Sequence, residues 1–162
     1  MKRRTFVSLA AGTMALLAGR TYAATESPRP RADRITRTDE EWRRRLPEAR
    51  YRVLREEDTE SSFSSPLNHE KRSGTYVCAG CELPLFSSDM KFDSGTGWPS
   101  FFDVLPNAVE TKTDFRLILP RTEYHCARCG GHQGHVFKDG PKPTGLRYCN
   151  NGLALYFQED RT

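Results

Sequence analysis

Two pairs of cysteines constrain this chain more than any other feature. Cys78 and Cys81 form one CxxC pair, Cys126 and Cys129 form a second, and 44 residues separate the pairs. Four thiolates at this spacing can close a tetrahedron around zinc, because each CxxC turn presents two sulfur atoms. The sequence therefore predicts one structural zinc ion with no open coordination position for a substrate.

Two other assignments of these cysteines remain open. In an exported protein the four thiols could form two disulfides, although a disulfide within a single CxxC turn is strained. The segment CARCGGHQGH, residues 126–135, could also bind zinc by itself through its two cysteines with His132 and His135. That arrangement would leave the first pair without a role.

The fifth cysteine, Cys149, has no cysteine partner in this scheme. A lone cysteine is often a small buried apolar residue. Arg147 lies two positions earlier, so in an extended strand its guanidinium would share a face with the sulfur and favour the thiolate. Asn151 would lie on that face too if the strand continued, and Tyr148 and Asn150 would point the other way.

Two histidines and a tryptophan complete a candidate site. His132 and His135 follow the second cysteine pair, where a rigid knuckle could hold both imidazoles around a small polar group. Trp98 lies in a glycine-bracketed turn and is expected to border a pocket, whereas Phe101 or Phe102 is expected in the core. These residue types fit thiol–disulfide exchange, acyl transfer or reduction of an oxidised sulfur, and do not choose among them.

The amino terminus has the form of an export signal. Residues 1–23 contain basic KRR, the mostly apolar run FVSLAAGTMALLAG, and TYA before a predicted cleavage point. RRTFVS resembles the twin-arginine export motif, which predicts a folded, periplasmic protein; an ordinary secretory signal remains the alternative. Residues 24–35 are polar and proline-bearing, as expected of a flexible linker, and leave residues 36–162 as one domain.

Charge and patterning exclude several partners. Residues 1–23 hold four basic and no acidic residues, which leaves 21 basic and 21 acidic residues in the rest of the chain. A neutral domain gains little from phosphate counterion release, so nucleic acid is not expected as a partner. No further apolar run predicts stable membrane insertion after signal cleavage, and no heptad pattern predicts an oligomer, so we expect a monomer.

Helices are expected only near the start of the domain. Thr38 and Glu41 have the spacing of a capping box that begins a helix ending near Leu46. Pro47 fits the first turn of a second helix through about Arg55. The expected buried residues are Trp42, Leu46, Tyr51 and Leu54.

Beyond Glu60, short apolar runs alternate with turn residues. The predicted strands are TYVC, PLF, FRLILP, TEYHC, HVF and LALYF. The fold class is therefore α+β, mainly antiparallel β.

Three long segments resemble the methionine-R-sulfoxide reductase B family. They are YRVLREEDTE, PLNHEKRSGTYVCAGCELPLFSSDMKFDSGTGWPSFF and HCARCGGHQGHVFKDGPKPTGLRYCNNGLALYF, and the resemblance runs from about Trp42 to Phe157. It implies two antiparallel sheets of short strands, short amino-terminal helices, and a zinc ion held by the two CxxC pairs away from the active site. It also implies repair of oxidised proteins that carry methionine-R-sulfoxide.

The resemblance assigns roles to the remaining candidates. Cys149 would attack the sulfoxide sulfur and become a sulfenic acid. His132, His135 and Asn151 would bind the sulfoxide oxygen or its water network, and His135 is preferred as the proton donor. Two further roles are implied: stabilisation of the thiolate by Arg147, and contact with the methyl group on sulfur by Trp98.

One position departs from a common family pattern. Many relatives have a second, resolving cysteine where this chain has Thr96. We therefore expect the Cys149 sulfenic acid to be reduced directly by an external thiol or a thioredoxin-like donor. A zinc-ribbon binding module and an exported thiol oxidoreductase remain the competing classes; the first would not need Cys149, and the second would act on disulfides.

Overall fold

A computed structural model describes residues 31–115 and 120–161. The predicted export signal, residues 1–23, lies outside the described residues. Residues 24–30 of the predicted linker lie outside them as well. The predicted strand FRLILP falls largely on residues 116–119, which also lie outside them.

Two short helices begin the domain, as the sequence predicts. Helix α1 spans Asp39–Arg45 and helix α2 spans Glu48–Glu56. The capping box is present, because the Thr38 N–H donates to the Glu41 carboxylate at 2.8 Å and the Glu41 N–H donates to the Thr38 hydroxyl at 3.3 Å. All four residues predicted to face the core are buried: Trp42, Leu46, Tyr51 and Leu54.

Nine strands and three single-turn 3₁₀ helices follow within the described residues. The strands are β1 (Gly74–Cys78), β2 (Pro84–Ser87), β3 (Lys91–Phe92), β4 (Ser100–Phe101), β5 (Val109–Asp114), β6 (Arg121–Cys126), β7 (His132–Phe137), β8 (Arg147–Asn150) and β9 (Leu155–Glu159). The 3₁₀ turns lie at Pro66–Asn68, Ser88–Met90 and Gly152–Ala154.

The strands form two antiparallel sheets. The smaller sheet has the order β2-β1-β9, and the larger has the order β3-β4-β8-β7-β6-β5. The predicted α+β, mainly β class is confirmed. Sequence reasoning missed β5, because its residues VETKTD are mostly exposed and show no apolar alternation. LALYF also differs: its first two residues belong to a 3₁₀ turn, and the strand starts at Leu155.

An aromatic core lies between the two sheets. Phe86 and Phe101 stack with ring centroids 4.0 Å apart, and Tyr124 meets Tyr148 edge to face at 5.3 Å. Phe101 is fully buried, which confirms the expectation that Phe101 or Phe102 enters the core. The Tyr124 hydroxyl also donates to the Asn150 side-chain oxygen at 2.6 Å, so β6 is tied to β8 through the core.

The register of the larger sheet separates its two faces. Residues directly opposite each other on paired strands share a face, and their neighbours along the chain point the other way. One set of opposed residues faces the core, where Phe101, Val136 and Tyr148 pack; its members are Thr122, Val136, Tyr148 and Phe101. The adjacent set faces away from the core, and we call it the cross-strand row: Lys112, Glu123, His135, Cys149 and Ser100.

The last part of the predicted linker, residues 31–35, contacts the domain. The Ile35 N–H donates to the Arg128 carbonyl at 2.7 Å, and the Arg31 guanidinium donates to the Asn107 carbonyl at 2.7 Å. Asp33 accepts from Arg128 at 2.8 Å, so this segment lies against the second CxxC turn. Among the described residues, no helix has the length and apolar character needed to span a bilayer.

Candidate functional site

The two CxxC pairs converge on one point. All four sulfur atoms lie within 4.8 Å of one another, with Cys78 3.6 Å from Cys129 and Cys81 3.5 Å from Cys126. Four sulfurs at tetrahedral positions around zinc, each about 2.3 Å from the ion, would be about 3.8 Å apart. The cluster therefore fits a four-coordinate metal.

Both alternative uses of these cysteines are inconsistent with the structure. All five cysteines are free, and sulfur separations of 3.5 and 3.6 Å are far beyond a disulfide bond of about 2.05 Å. The histidines of CARCGGHQGH turn away from the sulfurs, because His132 contacts Glu123 and His135 contacts Asp114.

The cluster is electrostatically suited to a cation. Hydrogen bonds among the crowded thiols lower the pKa of Cys81 and Cys129 and raise the pKa of Cys78 and Cys126. The thiol protons therefore lie in hydrogen bonds between the sulfurs. A metal ion would replace those protons, as expected for a site whose ligands must be deprotonated.

Backbone geometry shapes each CxxC turn. The Glu82 N–H donates to the Cys78 carbonyl at 2.8 Å, and the Gly130 N–H donates to the Cys126 carbonyl at 2.8 Å. Gly130 has φ +68°, a left-handed conformation that glycine adopts without a steric cost. Two N–H groups also point at the Cys78 sulfur, one from Gly80 at 3.4 Å and one from the Gln133 side chain at 3.5 Å.

Cys149 lies in the cross-strand row between residues of two neighbouring strands. It is opposite Ser100 on one neighbouring strand and opposite His135 on the other. The neighbouring backbone is tightly packed, since a Cβ at Gly134 would lie 1.9 Å from the Cys149 carbonyl oxygen. Glycine at this position lets β7 approach β8 and holds His135 beside the thiol.

Arg147 shares a face with Cys149, as the strand periodicity predicts. Its guanidinium is buried, forms two hydrogen bonds with the Asp139 carboxylate at 2.9 and 2.8 Å, and lies 4.3 Å from the Phe137 ring centre. Burial raises the pKa of the Cys149 thiol above its ordinary value, while the charge of Arg147 and hydrogen bonds from Thr96 and Arg147 act to lower it. The arginine acts in the expected direction, but burial outweighs it.

The two histidines have different carboxylate partners. His132 is buried, and its Nδ1 lies 2.5 Å from the Glu123 carboxylate. Burial lowers the pKa of His132 to about 4 despite the nearby Glu123. Its Nε2 is buried and has no hydrogen-bond partner among the described residues. By contrast, His135 Nε2 lies 2.8 Å from Asp114, whose carboxylate also pairs with Arg121 at 2.7 Å.

Glu123, His125 and His132 form a second group with metal-ligand atoms, again within 4.8 Å of one another. Here the imidazoles already share one carboxylate oxygen of Glu123, at 2.8 Å from His125 and 2.5 Å from His132. The Lys112 ammonium lies 3.3 Å from the other oxygen. Because a positive charge and hydrogen bonds already satisfy this carboxylate, the group is best described as a hydrogen-bonded network.

Asn151 is placed differently from the sequence-based expectation. Strand β8 ends at Asn150, so Asn151 does not continue the face of Cys149. Its carboxamide is buried, accepts from the Glu60 N–H at 3.1 Å and donates to the Gln133 carbonyl at 3.2 Å. These contacts fix the chain after Cys149, but they commit both polar atoms of the side chain to the backbone.

The turn that carries Trp98 is held next to the same thiol. Trp98 is partly exposed, and its indole N–H donates to the Glu60 carbonyl at 3.1 Å. The Ser94 hydroxyl lies 2.8 Å from both the Thr96 and the Ser100 hydroxyls. Thr96 also acts to lower the pKa of the Cys149 thiol, so a short chain of hydroxyl groups lies near the sulfur.

Several groups in this site were not found by sequence reasoning. They are the carboxylates that hold the histidines and Arg147, and the polar groups that fix the surrounding chain: Asp114, Glu123, Asp139, Glu60 and Gln133. Each is an ordinary polar residue in the sequence, and only the pairing of distant strands brings it to the site. Gln133 also links the sulfur cluster to the surroundings of Cys149. Its side chain donates to Cys78, and its backbone carbonyl accepts from Asn151.

Comparison with known proteins agrees with this geometry. Residues 46–159 match the model of the SelR domain. A curated relative from Leptospira interrogans, named peptide methionine sulfoxide reductase MsrB, is 48% identical over 78% of this chain and 97% of its own. Relatives with the same name from Bradyrhizobium diazoefficiens and Agrobacterium fabrum are 53% and 49% identical, over 76% and 77% of this chain and 89% and 93% of theirs.

The sulfur cluster predicts a metal content that depends on the paired cysteines alone. Cys126→Ser should abolish stoichiometric metal binding and lower the free energy of unfolding by roughly 3 kcal/mol or more, because metal binding contributes directly to folding. Cys149→Ser is the matched control and should retain one metal ion per chain. Metal analysis with chemical denaturation tests both; equal metal loss from the two variants would contradict the assignment.

The environment of Cys149 predicts a pH profile for its alkylation. In metal-loaded protein, Arg147→Met should move the midpoint of iodoacetamide reaction to higher pH, because the variant removes a charge and a hydrogen bond that lower the pKa of the thiol. Arg44→Met, at an exposed position on α1, is the control and should leave the profile in place. An unchanged midpoint in Arg147→Met would show that this guanidinium does not act on the sulfur.

Proposed function

The chain belongs to the SelR-domain family of peptide methionine sulfoxide reductases, and from that premise we propose that it reduces the R epimer of methionine sulfoxide in proteins. The observation that carries the proposal is the position of Cys149. It is the one cysteine among the described residues outside the sulfur cluster, and in the sheet it lies directly opposite His135.

The chemistry centres on the Cys149 sulfur. The thiolate attacks the sulfoxide sulfur, a proton is delivered to the sulfoxide oxygen, and the oxygen ends on Cys149 as a sulfenic acid while methionine leaves. The substrate sulfur gains two electrons and the cysteine sulfur loses two. Because burial keeps the Cys149 pKa high, Arg147 and Thr96 supply the interactions that favour the thiolate when the substrate is bound.

His135 is the better candidate for the proton donor. In its imidazolium form the ring donates Nε2–H to Asp114 at 2.8 Å, and its Nδ1–H is the proton that can pass to the sulfoxide oxygen. His132 has the complementary role. With its pKa lowered to about 4 it is neutral near pH 7, and with Nδ1–H donating to Glu123, its Nε2 accepts a hydrogen bond from the water or hydroxyl formed in the reaction.

Trp98 provides a handed site. The sulfoxide sulfur carries an oxygen, a methyl group and the rest of the methionine side chain. If the oxygen faces the histidines and the methyl group faces the indole, the S epimer must exchange these two groups. It would then place an apolar methyl against polar atoms and leave the donor unpaired. Asn151 acts as a positioning residue, because it fixes the chain on both sides of this site.

Regeneration requires a donor from outside the chain. The four remaining cysteines of the described residues are gathered in the sulfur cluster, and Thr96, which acts on the pKa of Cys149, cannot form a disulfide. Two external thiols, or one thioredoxin-like dithiol, reduce the sulfenic acid to the thiol and release water. The protein acts as a monomer on oxidised proteins.

The metal in the sulfur cluster is zinc in this proposal. Zinc favours four tetrahedral thiolates, and a closed site of this kind offers no coordination position to a substrate. The Gln133 side chain donates a hydrogen bond to the Cys78 sulfur, and the Gln133 backbone carbonyl accepts one from the Asn151 side chain. The metal therefore stabilises the strands that hold Cys149 and takes no part in the chemistry.

The amino-terminal segment supports export to the periplasm, where exposed methionines are oxidised and free thiols are at risk. On the twin-arginine route the zinc ion would be inserted before export.

Replacing Arg3 and Arg4 with lysine should retain the protein in the cytoplasm, as measured by cell fractionation. Unchanged export of that variant would point to the ordinary secretory route.

Epimer selectivity tests the reductase directly. Zinc-loaded residues 24–162 should reduce the R epimer of a methionine sulfoxide peptide with dithiothreitol as donor, and should prefer it to the S epimer by at least about a hundredfold. Cys149→Ser should abolish turnover while retaining zinc and the fold. Disulfide reduction without sulfoxide reduction would favour a thiol oxidoreductase, and loss of both with intact partner binding would favour a zinc-ribbon module.

A further inference from the structure

Phe63 combines an exposed ring with an unfavourable backbone conformation. Its relative exposure is 72%, which makes it one of three exposed large hydrophobic residues in the described part of the chain. Its φ angle is +63°, in the left-handed region where a bulky residue is an outlier. Both features cost free energy, and strained residues of this kind cluster at functional sites.

Specific contacts hold the Phe63 ring in this position. Its N–H donates to the Gly97 carbonyl at 2.7 Å, and the Asn68 side chain donates to the same oxygen at 2.9 Å. A Cβ on Gly97 would lie 2.8 Å from the Phe63 ring. The ring therefore rests on the bare backbone of Gly97, and its direction is fixed by the fold.

The position of Phe63 places it at the rim of the proposed active site. Gly97 directly precedes Trp98, and Phe63, Trp98 and Pro99 line one surface cavity of about 80 Å³. The indole is itself tied to the Phe63 loop, because its N–H donates to the Glu60 carbonyl at 3.1 Å. Two aromatic rings, one half-buried and one exposed, thus lie beside the same small cavity, and Trp98 belongs to the proposed site as well.

We propose that Phe63 forms a docking surface for the substrate chain. The ring binds a large apolar side chain of the substrate that neighbours the methionine sulfoxide. This inference rests on the proposed function and adds a preference for sequence around the oxidised residue. Trp98 is assigned to the sulfoxide group itself, and Phe63 lies one step further along the rim. A rigid aromatic ring loses little conformational entropy on binding and gains from covering its apolar surface.

The expected effect follows from the area available. Covering about half of an exposed phenylalanine side chain corresponds to roughly a tenfold change in affinity. The preference should therefore appear in KM for peptides with a large apolar neighbour. It should vanish for substrates with no neighbouring side chain.

The test compares three substrates with dithiothreitol as donor: a peptide with leucine on both sides of methionine-R-sulfoxide, its glycine-flanked counterpart, and N-acetylmethionine-R-sulfoxide. Phe63→Asn is the informative variant, because asparagine tolerates the left-handed conformation and preserves the turn while removing the ring. Phe63→Tyr retains the ring. Tyr156→Asn removes an exposed aromatic residue of β9, in the other sheet, and serves as the matched control.

We expect Phe63→Asn to raise KM about tenfold for the leucine-flanked peptide and to leave the other two substrates unchanged. Phe63→Tyr and Tyr156→Asn should resemble the parent protein. An equal loss on all three substrates would overturn the proposal and give Phe63 a purely structural role at Gly97. No change on any substrate would overturn it as well.

A binding experiment separates this inference from the reductase activity. Cys149→Ser protein should bind the leucine-flanked sulfoxide peptide more tightly than the glycine-flanked one, and Phe63→Asn should remove that difference. If the parent protein reduced no sulfoxide but this difference persisted, the proposed function would fail while the docking surface stood. Equal binding of both peptides to Cys149→Ser would overturn the docking surface whatever the activity.

Discussion

The convergence of four sulfur atoms is the constraint on which the rest of this structure depends. It joins the end of β1 to the end of β6 across 47 residues of intervening chain, and closing such a loop costs conformational entropy. Strand β7 begins three residues after Cys129, so the position of the cluster fixes where His132 and His135 enter the sheet. Gln133, between those histidines, bonds the Cys78 sulfur directly.

A second constraint is the two-residue period of antiparallel strands. Once β6, β7 and β8 pair in this register, Tyr124, Val136 and Tyr148 must face the core, and Glu123, His135 and Cys149 must face away from it. The same aromatic packing that stabilises the domain thus places the cross-strand row on the opposite face of the sheet. The chemistry needs no additional element, only polar residues at alternate positions of strands already held in place.

Sequence alone predicted the parts of this structure that depend on local or covalent chemistry. Three such features each involve only a few residues: the two CxxC turns, the Thr38 capping box, and the placement of Arg147 and Cys149 on one face of a strand. The structure contains each of them. Strand β5 was missed because a solvent-exposed edge strand carries no apolar pattern. The placement of Asn151 differed because β8 ends one residue earlier than simple extension of the strand implies. Asp114 and Glu123 could not have been assigned to the histidines, since those contacts depend on register between distant strands.

In the proposed function, Cys149 alone performs the redox step while the sulfur cluster remains a closed structural site. The most direct test is the mass of metal-loaded protein after one turnover of methionine-R-sulfoxide peptide without added thiol. If Cys149 alone reduces the sulfoxide, the chain becomes heavier by one oxygen atom on Cys149, one methionine forms per chain, and the metal is retained. A chain lighter by two hydrogen atoms, with a disulfide between Cys149 and a cluster cysteine and metal released, would contradict the proposal.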